Sequence, residues 1–207
     1  MEMKVIIITP DNHVNNEADI VNKLFDNGLQ RLHVRKPLYA ANDYRSYIET
    51  IKPQYHPRIA VHGDFELYNE FDLGSIHLSS SARNDKNIME QVAVLPPSVI
   101  SASFHSWQEV EENEFPYGYV FISPVFDSVS KTGYKAGIDL AGATKLKERF
   151  LQQKKYCPAI IGLGGVGAEQ TGILQQNGFD GAAMLGTIWM NDDPVAKYIE
   201  VMRVINT

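Results

Sequence analysis

Short apolar runs alternate with stretches of helical periodicity eight times along this chain, and that alternation leaves few folds open. The runs lie at residues 3–9 (MKVIIIT), 30–35 (QRLHVR), 58–62 (RIAVH), 74–78 (GSIHL), 98–102 (SVISA), 117–122 (YGYVFI), 158–162 (PAIIG) and 180–184 (DGAAM). Short, largely apolar runs of this kind fit strands buried on both faces. Between the first two, Ala18, Val21, Leu24 and Phe25 share one helical face, and Gly28 stands where a C-terminal cap is expected. Tyr44, Tyr47, Ile48 and Ile51 repeat the pattern, with Asn42 or Asp43 as the expected N-cap and Pro53 as the stop. A short helix is expected over 64–70. Another over 86–94 follows a capping Asn84 or Asp85, and Ser106 with Glu109 forms a capping box for the next. Residues 139–153, 168–178 and 194–205 complete the series. Parallel strands need right-handed crossovers, and eight strand–helix units close naturally into a (β/α)8 TIM barrel. The expected architecture is therefore α/β, with one barrel domain over residues 1–207 and short loops. An open doubly wound sheet is the alternative, but eight strands would be large for it.

Composition removes several function classes. The formal net charge of -6 argues against a general nucleic-acid binder, because phosphate-backbone affinity needs a basic face. No apolar stretch is long enough for a bilayer helix, and Met1-Glu2-Met3-Lys4 does not look like an export signal, so no membrane partner is expected. One cysteine, Cys157, excludes a disulfide framework and a Cys-rich zinc site, and a reducing cytoplasm is the expected compartment. The oligomeric state stays open, a homodimer included.

In such a barrel the chemistry sits at the C-terminal ends of the strands. Strand two ends in His33-Val34-Arg35-Lys36, and alternation puts His33 and Arg35 on one face. His62 ends strand three. His77 lies on strand four between Ile76 and Leu78, where a hydrogen-bonded core role is the simpler reading. Strand five leads into Ser101, Ser103 and His105. A guanidinium keeps its proton, so Arg35 requires an anion, either a substrate group or a structural carboxylate. Gly164-Gly165 after strand seven and Gly186-Thr187 after strand eight are candidates for a phosphate cup, because glycine turns let backbone N–H groups approach an anion. Loops seven and eight are where barrels of this kind commonly bind phosphate. Lys131, beside Gly133 in the long loop after strand six, is placed to fold over a bound phosphate. Residues 162–167 also fit G-x-G-x-x-G, but strand eight ends without the acid a dinucleotide site needs, so NAD is rejected.

Taken together, these segments resemble the thiamine phosphate synthase and thiazole tautomerase family over nearly the whole chain. His33-Val34-Arg35 is similar to its strand-two Gln-x-Arg-x-Lys, Val61-His62-Gly63-Asp64 to its Asn-Asp segment, and Ser75-Ile76-His77-Leu78 to its Gly-x-His-x strand. Ser103-Phe104-His105-Ser106 resembles its Ser-x-His-[ST]. Ser123-Pro124-Val125-Phe126 with Ser128-Val129-Ser130-Lys131 resembles its Gly-Pro-[VI]-[FY]-x-[ST]-x-[ST]-Lys. Leu163-Gly164-Gly165-Val166, Phe179-Asp180-Gly181 and Asp193-Pro194 resemble its later segments.

The resemblance implies that Gly164, Gly165, Gly186 and Thr187 hold the phosphate of a thiazole phosphate. It implies that Arg35 and Lys131 face the diphosphate of a hydroxymethylpyrimidine in a synthase, with His62, Ser103, Ser128 and Ser130 among the substrate-binding positions. The family's Mg²⁺ rests on two aspartates, which fall here on Gly63 and Ala82, with Asp64 one residue away. Its second strand-two lysine falls on Pro37, beside Lys36. Those departures favour the tautomerase branch, which moves a proton on a thiazole carboxylate phosphate without a metal; Mg²⁺ is expected only for a synthase. The tautomerase histidine falls on Pro124, so His33 or His105 is the expected base, with Arg35 clamping the carboxylate. A synthase proper, a non-catalytic binder of thiamine-type phosphates and another phosphate-handling barrel are the competing readings.

Overall fold

Each of the eight apolar runs is a strand in the computed structural model, which describes residues 3–127 and 136–206. In chain order the elements are β1 (Lys4–Ile8), α1 (Glu17–Asp26), β2 (Arg31–Val34), α2 (Ala41–Glu49), β3 (Ile59–His62), α3 (Phe65–Glu70) and β4 (Ser75–Leu78). Then follow α4 (Ser80–Arg83), α5 (Lys86–Val92), β5 (Ile100–Phe104), α6 (Trp107–Glu112), β6 (Tyr119–Ile122) and α7 (Gly142–Gln152). The chain ends in β7 (Ala159–Leu163), α8 (Ala168–Gln176), β8 (Gly181–Met184), α9 (Gly186–Trp189) and α10 (Pro194–Ile205). Every neighbouring pair of strands is parallel, and β8 pairs with β1, so the sheet closes. The α/β barrel expected from the alternation is the fold. The seam is pinned by a side chain as well as the ladder: buried Trp189 donates its indole N–H to the Ile8 carbonyl at 2.8 Å.

The helix starts follow local chemistry. Asp64, Asp85, Ser106 and Asp193 each accept a backbone N–H of the first turn that has no partner within its helix. The expected cap of α2 is a correction: the helix starts at Ala41, ahead of Asn42 and Asp43, and Ala40 offers no side-chain bond.

Alternation along each strand divides the core in two. Ile7, Leu32, Val34, Val61, Ile76, Leu78, Val120, Ile122 and Ile160 face the helix layer and join Val21, Leu24, Ile48, Leu146, Leu174 and Val201 in the larger cluster. Each such side chain taken out of water contributes about 1.5–3 kcal/mol. The opposite faces fill the barrel. There Ile6, Ile8, Phe121, Ile161 and Ala183 form a second, smaller apolar cluster on β1 and β6–β8. The β2–β5 side of the interior is polar instead: His33, Ser75, His77 and Ser101 are all buried. That asymmetry decides where the chemistry of the barrel lies.

Candidate active site at the barrel mouth

The turn after β7 needs glycine at two successive positions. Gly164 and Gly165 have φ of +99° and +64°, a region that side-chain-bearing residues seldom enter. A Cβ on Gly165 would also lie 2.3 Å from the Asp127 carbonyl oxygen. The segment after β6 lies directly on this turn, with Val125 N–H donating to Leu163 O at 3.0 Å and Phe126 N–H to Gly164 O at 3.1 Å. Across the next loop, the Thr187 hydroxyl donates to Val166 O at 2.6 Å. Gly164, Gly165, Gly186 and Thr187 thus come together at one side of the mouth, all partly accessible. The Thr187 hydroxyl is spent on the backbone, and the Gly167 amide donates to Gln170 Oε1 at 3.0 Å. An anion here would meet the amides of Gly165, Gly186 and Thr187. Those of Gly186 and Thr187 open α9, so they have no acceptor within that helix. Lys131, Ser128 and Ser130 lie outside the described residues. Asp127 and Ala136, which flank them, are joined by a hydrogen bond of 2.6 Å.

His105 stands on the same arc, exposed at the end of β5, with Nδ1 3.1 Å from the Ser123 carbonyl oxygen. A carbonyl only accepts, so that contact places the proton on Nδ1 and the lone pair on Nε2. Arg35 projects from just beyond β2 and pairs with Asp11 of the β1 loop, both partners well exposed. The ion pair with a carboxylate is therefore present, and it lies at the opening rather than away from it.

His33, His62 and His77 point inward. His33 Nδ1 lies 3.0 Å from His62 Nε2, and His33 Nε2 lies 2.6 Å from the Tyr119 hydroxyl. His77 is held at both nitrogens, by Ser101 Oγ at 2.9 Å and Ser103 Oγ at 2.8 Å. Burial holds His33 and His77 well below the usual imidazole range, with the neighbouring histidines pushing the same way. His62 is pushed down to about 3 by burial and then by the Arg35 charge. His33 has no solvent-accessible surface, so from this position it touches nothing bound at the mouth; His62 is the partly accessible member that stands between them. Ser103, expected to meet substrate, has its hydroxyl against His77 Nε2. Sequence reasoning singled out these histidines at separate strand ends, and the barrel brings three of them to one place.

A second buried polar group was not expected. Lys36 donates to Glu17 Oε2 at 2.7 Å and to the Pro10 carbonyl at 2.8 Å, and Tyr47 donates to Glu17 Oε1 at 2.7 Å. Lys36 is thus committed to the scaffold and does not stand in for the missing strand-two lysine. A signal was present: Glu17 shares its helix face with Val21 and Leu24, at the spacing of a core position.

The donors present do not fit Mg²⁺, which takes oxygen ligands. Gly63 and Ala82 have no donor side chain, and Asp64 spends Oδ1 on the Leu67 amide at 2.9 Å to cap α3.

Comparison with known proteins agrees with this fold. Residues 5–188 match the family described as thiamine monophosphate synthase. A thiamine-phosphate synthase of Bacillus velezensis is 25% identical over 147 residues, covering 69% of this chain and 62% of that protein. The chain therefore matches less than two thirds of that relative's length. A crystal structure titled thiamine phosphate pyrophosphorylase from Bacteroides thetaiotaomicron superposes with a TM-score of 0.72 at 27% identity, covering 99% of this chain and 98% of the other. The Pyrococcus furiosus protein of the same title gives 0.77 at 18% identity, covering 99% and 96%, which speaks for the fold alone. With nine-tenths of its length matched, the chain belongs to the thiamine monophosphate synthase family.

Proposed function

We propose that this chain acts on a thiazole phosphate in thiamine biosynthesis and that its reaction is the proton transfer that aromatises a thiazole carboxylate phosphate. The observation that carries the reading is the split condition of the mouth. The glycine turn at Gly164 and Gly165 and the α9 start at Gly186 are intact, while Gly63 and Ala82 stand where a diphosphate-bound Mg²⁺ would need carboxylates. A monophosphate then sits on the amides of loops seven and eight, with Lys131 as a further cation from the adjoining loop. Arg35 takes the substrate carboxylate, exchanging its bond to Asp11 for one to the ligand. His105 Nε2 accepts the ring proton and returns it at the second position, so no net charge is gained. His33 acts from behind His62 as a positioning residue.

Condensation with a hydroxymethylpyrimidine diphosphate is the second reading, and the relatives' names favour it. The test uses the purified protein with each substrate set. NMR should show catalysed proton transfer on the thiazole carboxylate phosphate without Mg²⁺, lost about a hundredfold or more in His105→Ala. Robust Mg²⁺-dependent formation of thiamine phosphate would overturn the proposal in favour of the synthase. Tight binding with no exchange would leave a non-catalytic carrier. Stabilisation by other sugar phosphates but not by thiazole phosphate would point to a different barrel enzyme.

A further inference from the structure

His33, His62 and His77 come from three adjacent strands, and the β3–β4 register sets His62 directly beside His77. One nitrogen from each lies within 4.8 Å of the other two. The His33 and His62 rings stand edge to face with centroids 5.2 Å apart, while His62 and His77 overlap at 4.3 Å. Apolar side chains fill the other half of the same interior, so packing alone did not require imidazoles here. Among the described residues they make no ion pair either: their hydrogen-bond partners are Tyr119, Ser101, Ser103 and one another.

From these contacts we infer that the three histidines form a site for a divalent d-block ion of the Zn²⁺ or Co²⁺ class, set in the barrel below the mouth. Imidazole nitrogens suit such ions and discriminate against Mg²⁺ and Ca²⁺. Metal–nitrogen bonds of about 2.0–2.1 Å place tetrahedral ligands roughly 3.3 Å apart, close to the 3.0 Å already found between His33 Nδ1 and His62 Nε2. Closing the remaining separations from at most 4.8 Å to that value takes ring movements of up to about 1.5 Å. The outer contacts suit ligation. With its proton on Nε2, His33 donates to the Tyr119 hydroxyl and turns the Nδ1 lone pair to the metal. His77 keeps one serine hydroxyl when its other nitrogen binds. Loading needs a change of tautomer at only one of His33 and His62, because of their two facing nitrogens one already presents a lone pair. The fourth position opens past the partly accessible His62, where water or an anion completes the shell beside the positive Arg35. This inference does not depend on the proposed reaction.

Titration of the full-length, chelator-treated protein with Co²⁺ tests it, followed by visible absorption. One equivalent should bind with the intense d–d band of a four- or five-coordinate nitrogen site. Zn²⁺ should remove the band, and excess Mg²⁺ should not. His62→Ala should abolish the band while far-UV circular dichroism stays unchanged. Tyr119→Phe, which removes no ligand, should weaken Co²⁺ about 10- to 100-fold. His105→Ala should bind like wild type. A folded wild-type protein with no such band would overturn the inference. So would a band that survives both His62→Ala and Tyr119→Phe at unchanged affinity, or one that disappears in His105→Ala.

Discussion

Lys36 and Glu17 meet at 2.7 Å with both side chains essentially shut off from solvent, so the β2 end is tied to the start of α1 by a buried charge pair. Removing one partner leaves an uncompensated charge in a low-dielectric site. Glu17→Gln should lower unfolding free energy by about 3–5 kcal/mol. The double variant Lys36→Met, Glu17→Gln should recover most of that loss, since neither charge is then buried. Urea unfolding of the two proteins checks this, and equal losses would show that the pair is not coupled.

The turn after β7 tolerates no side chain at its second glycine. Gly165→Ala puts a methyl group 2.3 Å from the Asp127 carbonyl in a backbone region unfavourable to alanine. The loop must shift, at a cost of about 1–3 kcal/mol. Because the same amide is assigned to the phosphate, thiazole phosphate should no longer raise the variant's melting temperature. Gly172→Ala, in α8 with open space around it, is the control that should keep the response.

Asp11 and a bound carboxylate compete for one guanidinium. An exposed pair of this type is worth about 0–1 kcal/mol. Asp11→Asn should therefore tighten the carboxylate-bearing thiazole phosphate by up to about fivefold and leave the decarboxylated analogue unaffected. Equal tightening of both ligands in calorimetry would remove Arg35 from the carboxylate site.

Acid should weaken this barrel earlier than it weakens most. The neutral form of His62 is favoured in the folded chain, with its pKa near 3, against about 6.5 when unfolded. The unfolded state therefore binds the extra proton between those values, and stability is complete above about pH 6.5 and falls as pH drops. His33 and His77 shift in the same direction. From pH 7 to pH 5, His62 alone removes about 2 kcal/mol. Urea midpoints over this range should fall steeply, and His62→Asn should flatten the slope by about one proton. A flat wild-type profile would contradict the assignment.

The barrel itself was legible because its eight short apolar runs admit one economical closure. The glycine turn was legible because Gly164-Gly165 stands at a strand end where backbone must come close to something. Parity along β2 carried less far. It put His33 and Arg35 on one face, but the strand stops at Val34, and beyond its last residue Arg35 turns to Asp11. Nor does sequence order reveal that His33, His62 and His77 meet, since strand stagger around the barrel sets their relative height. Glu17 shows the reverse case: its helical spacing marked a buried position, but its charge argued for the surface until Lys36 and Tyr47 supplied partners.

The junction of β8 with β1, and of Trp189 with Ile8, has a consequence for synthesis on the ribosome. Within this barrel the first strand waits for the eighth. Until residues 181–189 leave the exit tunnel, Lys4–Ile8 keeps one unpaired and strongly apolar edge. Fragments that stop before β8 should accordingly associate through that edge, and nascent chains will depend on chaperone cover until β8 emerges.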